Sequence, residues 1–461
     1  MHEEKRVGMK KRQTWIFVVI LTMILGGASG FLYIDTFYGK GYAKGFFSEQ
    51  KKTKENKMKQ QGATKEEIVK EEIKEEILPT EVTDNRKLKH GMEIESKNKT
   101  SFQMYGEHFL MCTKDGVRFF NDFADPKWND TFTMNSPMSV KEGDFTAVGD
   151  MTGSGIRVYD ATGPKYKVQT EGTLIQFALN ENGYLATICK NKSSYKIMIY
   201  NNLGEELKGR VEETIGIYPL SVDISDDNKV FVVSYLDTTD IEPIARVLFF
   251  YINRAEGENF TDSMFAAVEK PDEIIPIITY MKNGILAVIS DKNIYGLKGE
   301  GQSVWKLELT NQLDRVDVTE KEYIVAAYGD EFSGKDGKEA GTVVWIDSSG
   351  KEHTIFEMKD RVSYLNASEG SVVIGAGYRY YNVKSNGKVI WEHRAIGDMS
   401  DILLMGSDST VLYVTKTRAE MVDINSLNRK VKGLNATLER EILEKAKDKN
   451  VNEEVEFGQK K

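Results

Sequence analysis

Between residues 96 and 434 the chain repeats itself. Short apolar runs come in pairs, each pair joined by a polar turn and followed by a turn that often ends in glycine. Phe145–Val148 and Ile156–Tyr159 form one pair, and Ile285–Ser290 and Ile294–Leu297 form another. The second run of each pair ends on an aromatic or aliphatic anchor, at Phe120, Tyr159, Tyr200, Tyr251, Leu297, Ile346, Val383 and Val422. Successive anchors are about 43 residues apart, the length of four short antiparallel strands with their turns. An outer strand can follow the glycine turn, as in Ser303–Leu307 and Lys388–Trp391, and an inner strand can precede the pair, as in Leu220–Ile224. One such sheet buries a single face well. Sheets packed radially bury both, and closing the ring protects the strand edges. The expected fold is therefore all-β: a β-propeller with eight blades, seven being the alternative if one unit is split between the ends of the repeat or degenerate.

Composition supports a large folded core. The chain carries 21 Tyr, 21 Phe and 5 Trp, too many for a disordered protein. It has only 2 Cys, too few for a disulfide-stapled scaffold of this length. Acidic residues outnumber basic ones 71 to 62, and the net charge of −9 argues against a nucleic-acid partner held by bulk positive charge.

The first 95 residues differ from the repeat. Lys5, Arg6, Lys10, Lys11 and Arg12 precede an uncharged apolar run over 15–34. About 20 residues at roughly 1.5 Å each reach about 30 Å, enough to cross a bilayer core. Trp15 and Tyr33 suit the two interfaces, and only Lys40 and Lys44 follow closely, so the charge bias puts residues 1–14 in the cytoplasm and the rest outside. A cleaved signal peptide, cut near Ala28-Ser29-Gly30, is the competing reading. Apolarity continuing through Ile34 favours an anchor. Residues 35–95 form a charged stalk, with a helix expected over 65–78 and a narrow stripe of Val69, Ile73 and Ile77. That stripe is too short to favour stalk dimerisation. At the other end, 435–461 reads as an amphipathic helix followed by a disordered tail.

Chemistry is sparse in this sequence. None of the five His sits in a metal-binding motif; His353 and His393 each follow a blade turn and read as surface strand positions. Thr152-Gly153-Ser154-Gly155 reads as a hairpin rather than a phosphate loop. Asp223, Asp226 and Asp227 lack the spacing of a calcium loop and read as a turn. Cys112 and Cys189, assigned to adjacent units one and two, are expected as buried thiols because neighbouring sheets pack about 10 Å apart. Two long insertions, Leu236–Arg246 and Glu331–Gly341, are candidate partner-contacting loops.

Two turns carry a family resemblance. In Leu297-Lys298-Gly299-Glu300-Gly301-Gln302-Ser303-Val304-Trp305 and Val383-Lys384-Ser385-Asn386-Gly387-Lys388-Val389-Ile390-Trp391, a glycine is followed four residues later by tryptophan. The pattern resembles the repeat of quinoprotein-like and WD40-like propellers. It implies that Gly301, Trp305, Gly387 and Trp391 dock one blade against the next. Counterparts of that family's quinone- and calcium-binding residues are missing, so no cofactor is expected. The layout also resembles an uncharacterised family of single-span proteins of Gram-positive bacteria with an extracytoplasmic propeller, a domain of unknown function. Two function classes follow. The favoured one is a non-catalytic binding or scaffold module of the cell envelope with a protein partner. The alternative is an extracytoplasmic enzyme, glycan-active or quinone-dependent.

Overall fold

Successive residues of a strand point to opposite faces, so a strand buried at every position has both faces covered. Leu286–Ile289 is buried at all four positions and Ser371–Ala376 at all six. Such strands need a neighbour on each side, and the computed structural model supplies one. It describes residues 86–424, except 96–99, 310, 319–322, 331–339, 359, 369 and 396–398. The apolar run over 15–34, the stalk helix and the tail beyond 424 lie outside the described residues. Among the described residues, no helix is long and apolar enough to cross a membrane.

Eight four-stranded antiparallel sheets follow one another. The first strand among the described residues, β1 (Lys87–Glu93), joins the last sheet. Blade one is β2 (Ser101–Tyr105), β3 (His108–Thr113), β4 (Gly116–Phe120) and β5 (Pro126–Thr131). Blade two is β6 (Pro137–Glu142), β7 (Phe145–Asp150), β8 (Gly155–Asp160) and β9 (Gly163–Gln169). Blade three is β10 (Thr173–Leu179), β11 (Leu185–Asn191), β12 (Ser194–Tyr200) and β13 (Glu206–Glu212). Blade four is β14 (Ile217–Ile224), β15 (Val230–Asp237), β16 (Ile244–Tyr251) and β17 (Met264–Pro271). Blade five is β18 (Ile277–Tyr280), β19 (Leu286–Ile289), β20 (Asn293–Lys298) and β21 (Gln302–Glu308). Blade six is β22 (Gln312–Asp317), β23 (Ile324–Asp330), β24 (Ala340–Ile346) and β25 (Glu352–Met358). Blade seven is β26 (Tyr364–Ser368), β27 (Ser371–Ala376), β28 (Arg379–Lys384) and β29 (Val389–Arg394). Blade eight is β30 (Met399–Leu404), β31 (Thr410–Thr415) and β32 (Arg418–Asp423), with β1 outermost. The paired runs of the sequence are the second and third strands. The ring is the eight-bladed propeller expected.

The core is a chain of apolar clusters at the seams. Ala147, Ile156 and Val158 of blade two meet Leu174, Phe177 and Leu185 of blade three. Val232, Val247 and Phe249 of blade four meet Ile278, Leu286 and Val288 of blade five. The last seam has the same character: Leu403, Leu412 and Met421 of blade eight pack on Phe102, Phe109 and Phe120 of blade one. The anchors that set the sequence period have a structural cause. Phe120, Tyr159, Tyr200, Leu297 and Val383 each sit where the third and fourth strands shift register. A bulge of this kind sharpens the twist of an outer strand.

Three expectations need correction. The propeller does not begin at 96: β1 lies in the stretch expected as stalk and pairs with β32 from Lys87↔Asp423 to Glu93↔Arg418. Its sequence, Lys-Leu-Lys-His-Gly-Met-Glu, carries no apolar run because an outermost strand is mostly exposed. Cys189 belongs to blade three, so blade two separates it from Cys112 of blade one; both are buried thiols rather than a disulfide. His393 is not at the surface: it is 2% exposed and stands edge-on to Tyr413 at 5.5 Å.

Candidate docking face

Strand directions alternate within a blade, so the turns between second and third strands open at the same end as the crossovers between blades. The turns between first and second strands, and between third and fourth, open at the other end. In blade four, β15 and β16 run for eight residues each and carry the turn over 238–243. This is the first long insertion singled out in the sequence; residues 331–339 of the second lie outside the described residues. The blade-four turn is pinned from both sides. Thr238 donates through its backbone N and its hydroxyl to Gly216 O (2.8 and 2.9 Å), in the crossover that enters the blade. Gly216 has φ +96°, a conformation that a side chain would strain. On the leaving side, Asp272 N donates to Pro243 O (2.9 Å).

Asp237 braces the base of this turn. Its Oδ1 accepts from the Thr239 hydroxyl (2.6 Å) and backbone N (2.9 Å), and its Oδ2 meets Arg246 Nη1 at 2.8 Å. The Thr239 hydroxyl first, then the Thr239 N–H and Arg246, hold the carboxyl below its ordinary value against the opposing effect of burial. On this braced frame two side chains face water fully. Ile241 is 102% exposed at the turn, and Ile215 is 86% exposed in the adjoining crossover.

The four docking residues named from the sequence sit at blade seams. Trp305 of β21 donates Nε1–H to Ser348 O in blade six (3.0 Å). Its ring covers Gly350, where an added Cβ would lie 2.5 Å from Trp305 Cδ2. Trp391 of β29 donates to Asp408 O in blade eight (2.8 Å) and is 1% exposed. Gly301 (φ +83°) turns its bare Cα toward Val268 and Phe249 of blade four, and Gly387 (φ +80°) toward Ile355 of blade six. Two further residues do the same work unannounced. Trp128 of β5 donates to Ala161 O in blade two (3.0 Å) and stacks between Phe119 and Tyr159. Its turn has Ala124, at φ 63°, where the other tryptophan turns have glycine, which hid it. Tyr166 of β9 donates to Gly183 O (2.7 Å) and lies over Gly204 in blade three.

Several polar side chains of the first strands are committed to the neighbouring blade. Each first strand pairs on one edge with its second strand and leaves N–H groups on the other. Gln176 Oε1 accepts from Val222 N (3.2 Å) and Asp223 Oδ2 from Tyr280 N (2.7 Å). Asp317 Oδ2 accepts from Ala367 N (2.8 Å). Gln103 Nε2 reaches Ser139 Oγ at 3.0 Å, and Tyr364 donates to Asp401 Oδ1 (2.6 Å) and Ile402 O (2.8 Å). Burial raises the Asp401 carboxyl despite that hydroxyl, and burial and then Asp401 push the Tyr364 phenol up. Elsewhere, buried Glu273 accepts from Ser290 (2.6 Å), Asn293 (2.9 Å) and Tyr295 (2.5 Å). Of the three aspartates first read as a turn, Asp223 is thus a blade-to-blade acceptor, while Asp227 caps the turn through Ser225 Oγ (2.6 Å) and Lys229 N (3.1 Å). Among the described residues no group of three or more His, Cys, Asp or Glu is placed to hold a metal ion.

A family model described as a family of unknown function, DUF5711, matches residues 79–424. The chain belongs to that family. The matched segment takes in β1, in agreement with the sheet rather than with a start at 96. None of the curated proteins matches the sequence. Among solved structures, the DUF5711 chain is similar to the computationally designed Ika8 protein, at 14% identity and TM-score 0.50 over 70% of this chain and 94% of that one. It is also similar to BamB from Moraxella catarrhalis, at 11% identity and TM-score 0.44 over 73% and 99%. The Pan2 WD40 domain of Neurospora crassa matches at 9% identity and TM-score 0.41 over 62% and 89%. The likeness to Ika8 is one of fold.

Proposed function

We propose that this DUF5711 chain is a non-catalytic protein-binding module of the bacterial cell envelope, of Gram-positive type. In this reading residues 15–34 are a single membrane anchor, 1–14 lie in the cytoplasm, and a charged segment carries the propeller outside. The anchor is supported by an apolar run of bilayer length behind five basic residues. The observation that carries the binding role is the commitment of four polar side chains of the first strands. Asp223, Asp317, Gln176 and Asp401, which a propeller enzyme would aim at substrate, are engaged across blade seams. What the molecule offers instead is a long blade-four turn pinned from both sides. The net charge of −9 favours a protein partner over nucleic acid.

Crosslinking of the full-length chain in intact cells, followed by pull-down, should recover one envelope protein reproducibly. Turnover of a glycan or alcohol by the purified full-length protein in detergent would support the enzyme reading and overturn this one. Topology has its own test. Protease added outside wall-stripped cells should cut between the apolar run and the propeller, and complete protection would sink the orientation.

A further inference from the structure

A β-branched, apolar residue is a poor choice for a turn in water, where Gly, Asn, Asp and Ser serve better. Single exposed apolar residues are ordinary on protein surfaces. Ile215 and Ile241 are less ordinary. They sit on two loops held together through Gly216 and Thr238, at 86% and 102% exposure, and so contribute nothing to the core. Their flanks are acidic and exposed: Glu213 two residues before Ile215, and Asp240 and Glu242 on either side of Ile241. Toward blade five the charges balance: exposed Glu269 and Asp272 are met by Arg246 and Lys292, so the acidic patch is that of Glu213, Asp240 and Glu242. Arg246 is engaged by Asp237 (2.8 Å) and Glu269 (3.0 Å), Lys292 by Asp272 (2.5 Å), and the Lys270 ammonium lies over the Tyr295 ring (4.2 Å). The acidic surface stops at the blade-three hairpin, which carries exposed Lys190 and Lys192.

We infer that this pair of isoleucines is the anchor of a docking surface for a protein segment that presents an apolar pocket rimmed by lysine and arginine. The inference rests on the binding role proposed above and names the partner's chemistry. Charge decides among occupants. An anionic lipid surface would be repelled by the carboxylates beside each isoleucine. A second copy meeting this patch about a two-fold axis would set like charges against one another. A basic partner gains on both counts, with the isoleucines supplying buried contact and the carboxylates steering and register.

The test uses the full-length chain in its own membrane, with a photocrosslinking amino acid at position 215, 241, 203 or 123. Leu203 and Phe123 are exposed apolar residues between third and fourth strands, at the opposite end of the ring. Expected is one protein captured from both 215 and 241, joined through a Lys/Arg-rich segment with apolar residues. Changing Glu213, Asp240 and Glu242 together to lysine should cut the yield by about tenfold or more, as should Ile215→Ser with Ile241→Ser. The melting temperature of both variants should stay at the wild-type value, so a lost crosslink is not a lost fold. Capture of lipid or of a second copy from 215 and 241, or a yield indifferent to the charge reversal, overturns the inference. A partner captured only from 203 or 123 overturns the surface while leaving the binding role standing. Capture from none of the four positions, with turnover of a small substrate, removes both.

Discussion

At the scale of single residues, the seams are held by aromatic rings laid over bare backbone. Trp391 is almost wholly buried and Trp305 only partly, so they should not cost the same. Trp391→Ala should lower stability by about 3–5 kcal/mol, and Trp305→Ala by about 2 kcal/mol, as lost packing and one hydrogen bond. Chemical denaturation of the two variants checks the order. Gly350→Ala adds a Cβ against the Trp305 ring at φ +80°, so it should be less costly in a Trp305→Ala background. Equal cost in both backgrounds would place all of the penalty in the backbone. The turn that receives Trp305 also has a pH signature. Burial alone would raise the Asp347 carboxyl. The Ser349 hydroxyl, His353 Nε2 and the N–H groups of Lys351 and Ser349 outweigh it and hold the carboxyl below its ordinary 3.8. A depressed folded pKa means stability present above the unfolded value and lost as pH falls through the folded one. The stability gap between wild type and Asp347→Asn should therefore shrink as pH falls below about 4. Thermal melts across that range measure it.

At the scale of elements, the inner edges of the first strands are an unusual place for carboxylates, and a structural one. Asp223→Ala would leave Tyr280 N without its acceptor inside the ring. The expected loss is about 2 kcal/mol, with Asp223→Asn recovering part of it, as read by urea denaturation. The second and third strands were legible in the sequence because burial on both faces demands unbroken apolar runs such as Leu-Ala-Val-Ile at 286–289. The first strands were harder. In Gln176, Asp223 and Asp317 a polar residue in a strand reads as solvent-facing, and only the neighbouring blade reveals what it accepts. The site is less legible than the fold for the same reason. The Leu236–Arg246 insertion announced itself by length, but Ile215 lies in an ordinary short crossover, and the bonds that join the two loops run through the backbone of Gly216.

At the scale of the whole molecule, the ring is closed by a strand from outside the recognisable repeat. β1 adds little buried surface of its own, yet it covers the edge of β32 along its length. Residues just before and within it tie it down: Arg86 meets Glu420 at 3.5 Å and lies over the Tyr413 ring at 4.3 Å. His90 stands edge-on to Phe123 of blade one, 5.2 Å away. A chain beginning at 96 should therefore leave blade eight three-stranded with an open edge. Relative to a chain beginning at 79, it should melt at lower temperature and self-associate, because an unpaired strand edge is a template for another chain. Calorimetry and sedimentation would show both effects, and a monomeric, equally stable short form would deny β1 a closing role.

β1 is also made first and used last. Arg86 and its partner Glu420 are 334 positions apart. At synthesis rates of about 5–20 residues per second, the closing strand waits on the order of half a minute for β32 to exist. During that time the earlier blades can form in turn, each on the one before, but the ring stays open at one seam. The cell must keep one strand solvated and uncommitted through nearly the whole of translation. The lysines and glutamate of β1, which made it look like a linker, are the kind of charge that keeps an unpaired strand from pairing with another chain.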